Sequence, residues 1–225
     1  MPGREIPLVS GQIYHVFNRG VGGQLVFVNK RDCGRFLNAM FYYQNEKPSL
    51  SYSKFLSLST KEREQSIERM MKMKKWHVEI LGYCLMPNHF HLVLRQLTEN
   101  GIATFISNLT NSYTRYLNTK SDRDGPLFKG KFKAVLIEDD EQLLHVVRYI
   151  HINPYTSYIV KTMDKIATYP YSSFAAYMEE EKNYAIETET VLSQFKTKTM
   201  FQEFTYEQAD YQRSLQNIKH LALES

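Results

Sequence analysis

The run His-Phe-His-Leu-Val-Leu at residues 89–94 constrains the fold of this chain more than any other segment. Side chains on a β-strand alternate between its two faces, so His89 and His91 would share one face while Phe90 and Leu92 point into a core. Two neutral imidazoles on one face form a candidate metal site. The alternative is a pair of surface histidines on a half-exposed strand.

The surrounding pattern predicts an α+β domain built on an antiparallel sheet. Apolar alternation predicts strands at residues 12–18, 78–85, 89–95, 127–128 and 132–138. Helical spacing predicts helices at residues 31–44, 60–75, 101–118 and 141–152. Asp139 or Asp140 would cap the last of these helices, and Pro154 would end it. Short strands paired through hairpins and separated by helices are typical of helices packed on an antiparallel sheet.

Length and composition place limits on the class of protein. The chain has 225 residues and a net charge of +4, which permits a nucleic-acid partner without requiring one. No apolar run approaches the ~18 residues needed to span a bilayer, and the N-terminus does not resemble a signal peptide. Cys33 and Cys84 lie in apolar surroundings and are expected to be buried free thiols, so we expect a soluble, cytoplasmic protein with no membrane partner.

Two segments differ in composition from the rest of the chain. Residues 45–75 are rich in Ser and Lys, and we interpret them as an insertion in the domain. Residues 178–225 are polar, and we expect them to form a peripheral, helical tail with little core.

The predicted helix 141–152 carries a second polar set. His145, Tyr149 and Asn153 are spaced four apart and therefore share one helix face. A tyrosine can act as a covalent nucleophile, but its free pKa of about 10 requires help from a metal or a base at neutral pH. An asparagine oxygen could complete the coordination of a hard divalent ion beside two imidazoles. Alternatively, Tyr149 packs against the sheet and Asn153 caps the helix end, and periodicity does not separate these readings.

A basic and aromatic cluster is a candidate surface for DNA. Cations interleave with two phenylalanines in the set Arg115, Lys120, Arg123, Phe128, Lys129, Lys131, Phe132 and Lys133. Cations hold phosphates and aromatic rings stack on bases, which is the combination that single-strand binders use. A solvated hairpin with core phenylalanines is the alternative. Arg19 is a second candidate contact.

The combination of these pieces resembles a known family. The matching pieces are Tyr14–Gly20, Met86-Pro87-Asn88 followed by His89-Phe90-His91, Gly125–Gly130, Tyr149-Ile150-His151-Ile152-Asn153-Pro154 and Tyr171-Ser172-Ser173. In this order they resemble the HUH single-tyrosine transposases, in the branch of REP-associated (IS200-like) tyrosine transposases. The resemblance covers residues 10–177. It departs from the family after Pro154, where Arg-Ala is usual and Tyr155-Thr156 stands here.

The resemblance implies a ferredoxin-like HUH endonuclease fold over residues 10–177 and a transposase that cuts and rejoins single-stranded DNA bearing a stem-loop. It implies Mg²⁺ or Mn²⁺ held by His89, His91 and Asn153. It also implies attack by Tyr149 to give a 5′-phosphotyrosine. Relatives act as monomers or homodimers, and both states remain open for this chain.

Several alternatives remain open at the level of sequence. The chain could be an inactive relative that recognises palindromic DNA, or a metal-dependent hydrolase that uses water as its nucleophile. Tyr113 and Tyr116 compete with Tyr149 as nucleophiles, although neither has an amide four residues later. His145 and His151 compete as metal ligands.

Overall fold

A four-stranded antiparallel sheet organises the computed structural model, which describes residues 7–46, 48–179 and 185–214. The strands are β1 (Ile13–Arg19), β2 (Val78–Met86), β3 (His89–Gln96) and β4 (Lys133–Ile137). Their order across the sheet is β2-β3-β1-β4. Nearly every residue of β3 is buried, including Phe90, Leu92 and Leu94 at 0% exposure, as expected for an inner strand. The predicted α+β class with an antiparallel sheet is confirmed.

Helices of very different lengths connect and cover the strands. In chain order they are α1 (Lys30–Tyr43), α2 (Tyr52–Leu56), α3 (Thr60–Met73), α4 (Gly101–Lys120), α5 (Asp140–Thr156), α6 (Asp164–Ala167), α7 (Phe174–Met178), α8 (Glu189–Leu192) and α9 (Lys198–Tyr206). Asp139 caps α5, because its side chain accepts a hydrogen bond of 2.7 Å from the amide of Gln142. None of the described helices is both long enough and apolar enough to span a bilayer.

The chain divides into two compact units, and β2 and β3 contribute residues to both. The first unit contains Met1–Glu79, Pro87–His89 and Leu94–Leu136. Its core forms where α1 packs on α4, and the ring of Phe36 lies 4.9 Å from Phe27 and 5.2 Å from Tyr113, edge-on to both. Cys33 is a buried free thiol in this unit, as predicted.

The second unit contains Ile80–Met86, Phe90–Val93 and Ile137–Ser225. Its core gathers His151, Phe174, Tyr177 and Phe201, all of which are fully buried. Cys84 is a buried free thiol here, again as predicted. Helix α9 therefore contributes more core than we expected for the tail, because its aromatic residues are scattered among polar ones that hide their periodicity. Residues 180–184 and 215–225 of the predicted tail lie outside the described residues.

Two predicted elements differ in the structure. Residues 127–128 do not form a strand, and Phe128 makes only an isolated bridge with Gly20. Pro126 lacks an amide donor, while Gly125 and Gly130 have φ of 89° and 51°, which are incompatible with an extended strand. The second error concerns Pro154, which was expected to end α5 but lies inside it. The helix continues to Thr156 because its last turn is buried, and that burial offsets the hydrogen bond that proline removes.

Candidate active site

His89 begins strand β3 directly after the turn at Pro87-Asn88. Its Nδ1 lies 2.6 Å from Oδ1 of Asn88, which favours the tautomer that carries the proton on Nδ1. Burial, and to a lesser extent the positive charge of Arg19, lowers the pKa of His89 to about 4. His89 is therefore neutral near pH 7, and Nε2 is the nitrogen with an electron pair to offer a metal.

His91 and Tyr149 lie together in the second unit. His91 is only 6% exposed, and its ring meets the ring of Tyr149 edge-on at a centroid distance of 5.5 Å. Tyr149 itself is 36% exposed, so a substrate could reach it. Burial raises the pKa of Tyr149, and a hydrogen-bonding interaction with Asn153 partly opposes that rise by lowering it. The helix thus holds a phenol beside a histidine that β3 positions.

Asn153 lies one turn after Tyr149 and is 2% exposed. Its Oδ1 accepts a hydrogen bond of 3.0 Å from Oγ of Ser157, which fixes the orientation of the amide. The helix end is satisfied differently, since the amide of Ser157 donates to the backbone carbonyls of Asn153 and Tyr155. The side chain of Asn153 is therefore not the cap of α5, and its carboxamide remains on the face of Tyr149.

Helix α5 is anchored to β2 inside the second unit. Nε2 of His151 lies 2.9 Å from Oγ of Ser173, and that same oxygen accepts a hydrogen bond of 2.9 Å from the amide of Tyr83. Gly82 allows the helix to approach, because a Cβ there would stand 2.9 Å from Cδ1 of Ile150. These contacts fix the backbone of the residues that immediately follow Tyr149.

The competing tyrosines are engaged elsewhere in the first unit. Tyr113 is fully buried, and its hydroxyl donates a hydrogen bond of 2.7 Å to the carbonyl of Val26. Tyr116 donates to Oδ1 of Asp32 at 2.8 Å. Burial raises the pKa of both phenols, and the nearby carboxylate of Asp32 raises them further. Both hydroxyl protons are therefore engaged in hydrogen bonds within the first unit.

The competing histidines also have other roles. His145 has its Nδ1 2.6 Å from Nη2 of Arg148 and its Nε2 3.7 Å from Glu141. His151 is fully buried against Ser173, and burial lowers its pKa to about 3. The described residues contain no group of three or more His, Cys, Asp or Glu side chains suited to a metal.

The predicted DNA-binding residues fall into separate places in the first unit. Phe128, Lys131 and Phe132 line a groove of about 310 Å³ beside α4, together with Asn18 and Asn111. Phe128 is 7% exposed and packs toward Tyr113, so it forms the floor of the groove, whereas Phe132 is only partly buried.

The other predicted cations lie outside this groove. Lys129 and Lys133 are exposed nearby in the chain. Arg19 is exposed, and its carbonyl accepts a hydrogen bond of 2.7 Å from the amide of Lys129. Arg115 lines different pockets, farther along α4.

Part of this chain is similar to a known family. The family described as "Transposase IS200 like" matches residues 53–153, which include His89, His91, Tyr149 and Asn153. The match covers a little less than half of the chain. The match begins inside the segment 45–75, so the predicted insertion and the domain limits of 10–177 stay predictions.

Individual proteins also show similarity to this chain. A candidate REP-associated tyrosine transposase of Haemophilus influenzae is 32% identical over 107 residues, which cover 43% of this chain and 58% of that relative. The chain therefore matches little more than half the length of this curated relative. A solved structure of a REP-associated tyrosine transposase bound to a REP hairpin aligns with a TM-score of 0.55 and 14% identity, covering 83% of this chain and 98% of that one. At that identity the likeness establishes the fold.

Two features of this candidate site were missed at the level of sequence. Asn88 orients His89, but its place in a Pro-Asn turn suggested only a structural role. Ser173 anchors the helix of Tyr149 from far along the chain, and a lone serine carries no periodic signal. The adjacency of Asn88 to the histidine pair could have indicated the first of these, whereas nothing local could have indicated the second.

Proposed function

We propose that this protein is a metal-dependent transposase that cleaves and rejoins single-stranded, hairpin-bearing DNA through Tyr149. The observation that carries the proposal is the placement of that phenol. It is partly exposed, edge-on to His91 at 5.5 Å, and one helical turn before Asn153. The other two candidate tyrosines donate their hydroxyl protons to Val26 and Asp32. The similarity of residues 53–153 to the IS200-like transposase family supports the same reaction class.

The proposed reaction conserves the energy of the DNA backbone. The phenolic oxygen of Tyr149 forms a bond to phosphorus, and the bond from phosphorus to the 3′ oxygen breaks. The phenol loses its proton as it attacks, and the departing 3′ oxygen gains one to become a hydroxyl. The product is a 5′-phosphotyrosine, which a second 3′-hydroxyl can attack by the reverse route to rejoin two strands. The raised pKa of Tyr149 keeps the phenol protonated near neutral pH.

The proposed ligand set is His89, His91 and Asn153. A bound Mg²⁺ or Mn²⁺ would polarise the phosphate that is attacked. His89 suits this role because it is neutral and because Asn88 fixes its tautomer. Asn153 suits it because Ser157 holds its amide in place. Arg19, which acts electrostatically on His89, would contact a nearby phosphate.

We propose a DNA stem-loop as the partner. The solved relative is bound to a REP hairpin. In this chain the groove beside α4 offers Phe132 to an unpaired base and Lys131 to a phosphate, while Phe128 supports the groove from below. Lys129 and Lys133 would add phosphate contacts from exposed positions.

The test is a covalent-adduct assay. A labelled single-stranded stem-loop DNA is incubated with Mn²⁺, and a denaturing gel separates protein-linked DNA from free DNA. The wild-type protein should form the adduct, and Tyr149→Phe should lose it while binding the hairpin with unchanged affinity. Tyr211→Phe is the matched control, because that tyrosine is 64% exposed and outside the site.

Each result decides between the alternatives. An adduct in the Tyr149→Phe variant would refute Tyr149 as nucleophile. Cleavage without any adduct would identify a hydrolase that uses water. Binding without cleavage or adduct in the wild type would identify an inactive hairpin-binding protein.

A further inference from the structure

A second basic pocket lies on the first unit, away from the aromatic groove. Its volume is about 400 Å³, and helices α1, α2 and α4 all contribute to it. The residues that matter for its chemistry are Arg31, Arg35, Ser53, Arg115, Tyr116 and Lys120. Four of these six side chains are cationic, and none is acidic.

The pocket carries more positive charge than its surroundings neutralise. Asp32 lies beneath it at 1% exposure and accepts hydrogen bonds from Lys120 at 2.6 Å and from Tyr116 at 2.8 Å. One buried carboxylate is therefore matched to one lysine. Within the described part of the chain, Arg31, Arg35 and Arg115 form no ion pair with a carboxylate at the usual 4.0 Å limit.

Arg35 is held in place before any ligand arrives. Its guanidinium carbon lies 4.4 Å from the ring centroid of Tyr52 and 5.3 Å from that of Tyr116. Its Nη2 donates a hydrogen bond of 3.1 Å to Oγ of Ser53. Burial lowers the pKa of Arg35, so this cation has lost part of its hydration and gains from a new anionic partner. A guanidinium fixed between two rings loses little side-chain entropy when it binds a phosphate.

Helix α4 connects this pocket to the aromatic groove. Asn111 and Thr114 line the groove, and Arg115 and Thr119 line the pocket. Asn111 and Lys120 are separated by about 13 Å at a rise of ~1.5 Å per residue, a distance that about four nucleotides cover at the ~3.4 Å spacing of one strand in a duplex. Both sites therefore lie along one helix of one unit, within reach of a single strand.

We propose that the pocket of Arg31, Arg35 and Arg115 binds a backbone phosphate of the DNA strand whose bases occupy the groove of Phe132. This inference rests on the proposed DNA partner and extends it by a specific phosphate site that includes residues of α1 and α2. Polynucleotide is favoured over a free phosphate or a mononucleotide because residues of the same helix, α4, line both the pocket and the groove. The strand would be bound by stacking at one end and by three arginines at the other.

The experiment measures the salt dependence of DNA binding. Fluorescein-labelled stem-loops with and without a six-nucleotide single-stranded extension are titrated by anisotropy at several salt concentrations. Every protein carries Tyr149→Phe so that no strand is cut during the titration. The test variant is Arg31→Gln with Arg115→Gln, two exposed arginines whose loss leaves the packed Arg35 in place. The matched control is Lys165→Gln with Lys196→Gln, which removes two exposed charges from the second unit.

The proposal predicts a smaller salt slope for the test variant. Loss of the contact to this one single-strand phosphate should reduce the slope of log K against log salt by as much as ~0.7. The reduction should appear with the extended DNA and not with the control variant. A single methylphosphonate linkage, which is uncharged, should weaken binding at one position for the intact pocket and weaken it less there in the test variant, which keeps only Arg35.

The proposal would be overturned if the test and control variants showed the same salt slope. It would also be overturned if the methylphosphonate and the two arginine substitutions weakened binding additively at every position of the linkage. Inorganic phosphate or a mononucleotide that binds as tightly as the extended DNA would identify a free-phosphate site instead. The result is independent of the adduct assay. If the wild-type protein forms no adduct, but the Arg31→Gln, Arg115→Gln variant still shows the smaller salt slope, the transposase chemistry is refuted and the phosphate site stands.

Discussion

Replacing Ser173 by alanine tests whether one buried hydroxyl anchors the helix of Tyr149. Ser173 is 1% exposed, and its Oγ lies 2.9 Å from Nε2 of His151 and accepts a hydrogen bond of 2.9 Å from the amide of Tyr83. The variant leaves both groups without this partner in a buried position. Each buried polar group that loses its hydrogen bond costs ~1–3 kcal/mol, so the free energy of unfolding should fall by about 3 kcal/mol.

The assay is urea unfolding followed by circular dichroism, with Ser193→Ala as control because Ser193 is exposed in the same unit. A loss of this size should also lower the melting temperature by roughly 6–12 °C in a protein of this length. The rate of adduct formation should fall by more than the loss of folded protein alone would cause, because the backbone beside Tyr149 loses its anchor. A loss below ~1 kcal/mol, equal to the control, would refute the view that His151 and Ser173 hold the helix.

Three further predictions concern pH, salt and metal. Burial lowers the pKa of His15 to about 4, so the unfolded chain binds a proton there that the folded chain does not between pH 6.5 and 4. Resistance to urea should therefore fall as the pH drops through that range, and His15→Gln should flatten the dependence of the urea midpoint on pH; an unchanged profile would contradict this. Replacing Lys129, Lys131 and Lys133 by glutamine should reduce the salt slope of hairpin binding by about 2, and an unchanged slope would remove the lysines from the interface. EDTA or His91→Ala should abolish the adduct while hairpin binding measured by anisotropy persists, and cleavage that survives both would exclude a metal at this histidine.

The strands and long helices could be predicted because their periodicity is local. The alternation after His89 and the helical spacing from Gly101 to Lys120 both follow from which side chains face the core. The prediction that Pro154 ends α5 was wrong. The hydrogen bond that proline removes can be read from the sequence, whereas the burial of the last turn of α5 that offsets this loss depends on distant residues. The contribution of helix α9 to the core was underestimated for the same reason, because Phe201 packs against partners that are distant in the sequence.

Only part of the candidate site could be predicted from the sequence. Spacing placed Tyr149 and Asn153 on one helix face, and the structure adds the edge-on contact of Tyr149 with His91. The separation of Arg115 from Phe132 into different pockets could not be inferred, because closeness in sequence does not determine which side of α4 a residue faces. The roles of Asn88 and Ser173 depend on single hydrogen bonds, which leave no pattern in a sequence.

The contacts between α5 and the last described residues bear on how the protein is made in the cell. Tyr155 donates a hydrogen bond of 2.5 Å to Asp210, and the guanidinium of Arg213 lies 4.1 Å from the ring centroids of both Tyr155 and Tyr158. A ribosome delivers α5 first and needs several more seconds, at ~5–20 residues per second, to deliver Arg213. Throughout that interval the nascent chain holds Tyr149 on a helix that lacks these late partners. The contacts of α5 with Asp210 and Arg213 therefore form later in synthesis than the helix itself.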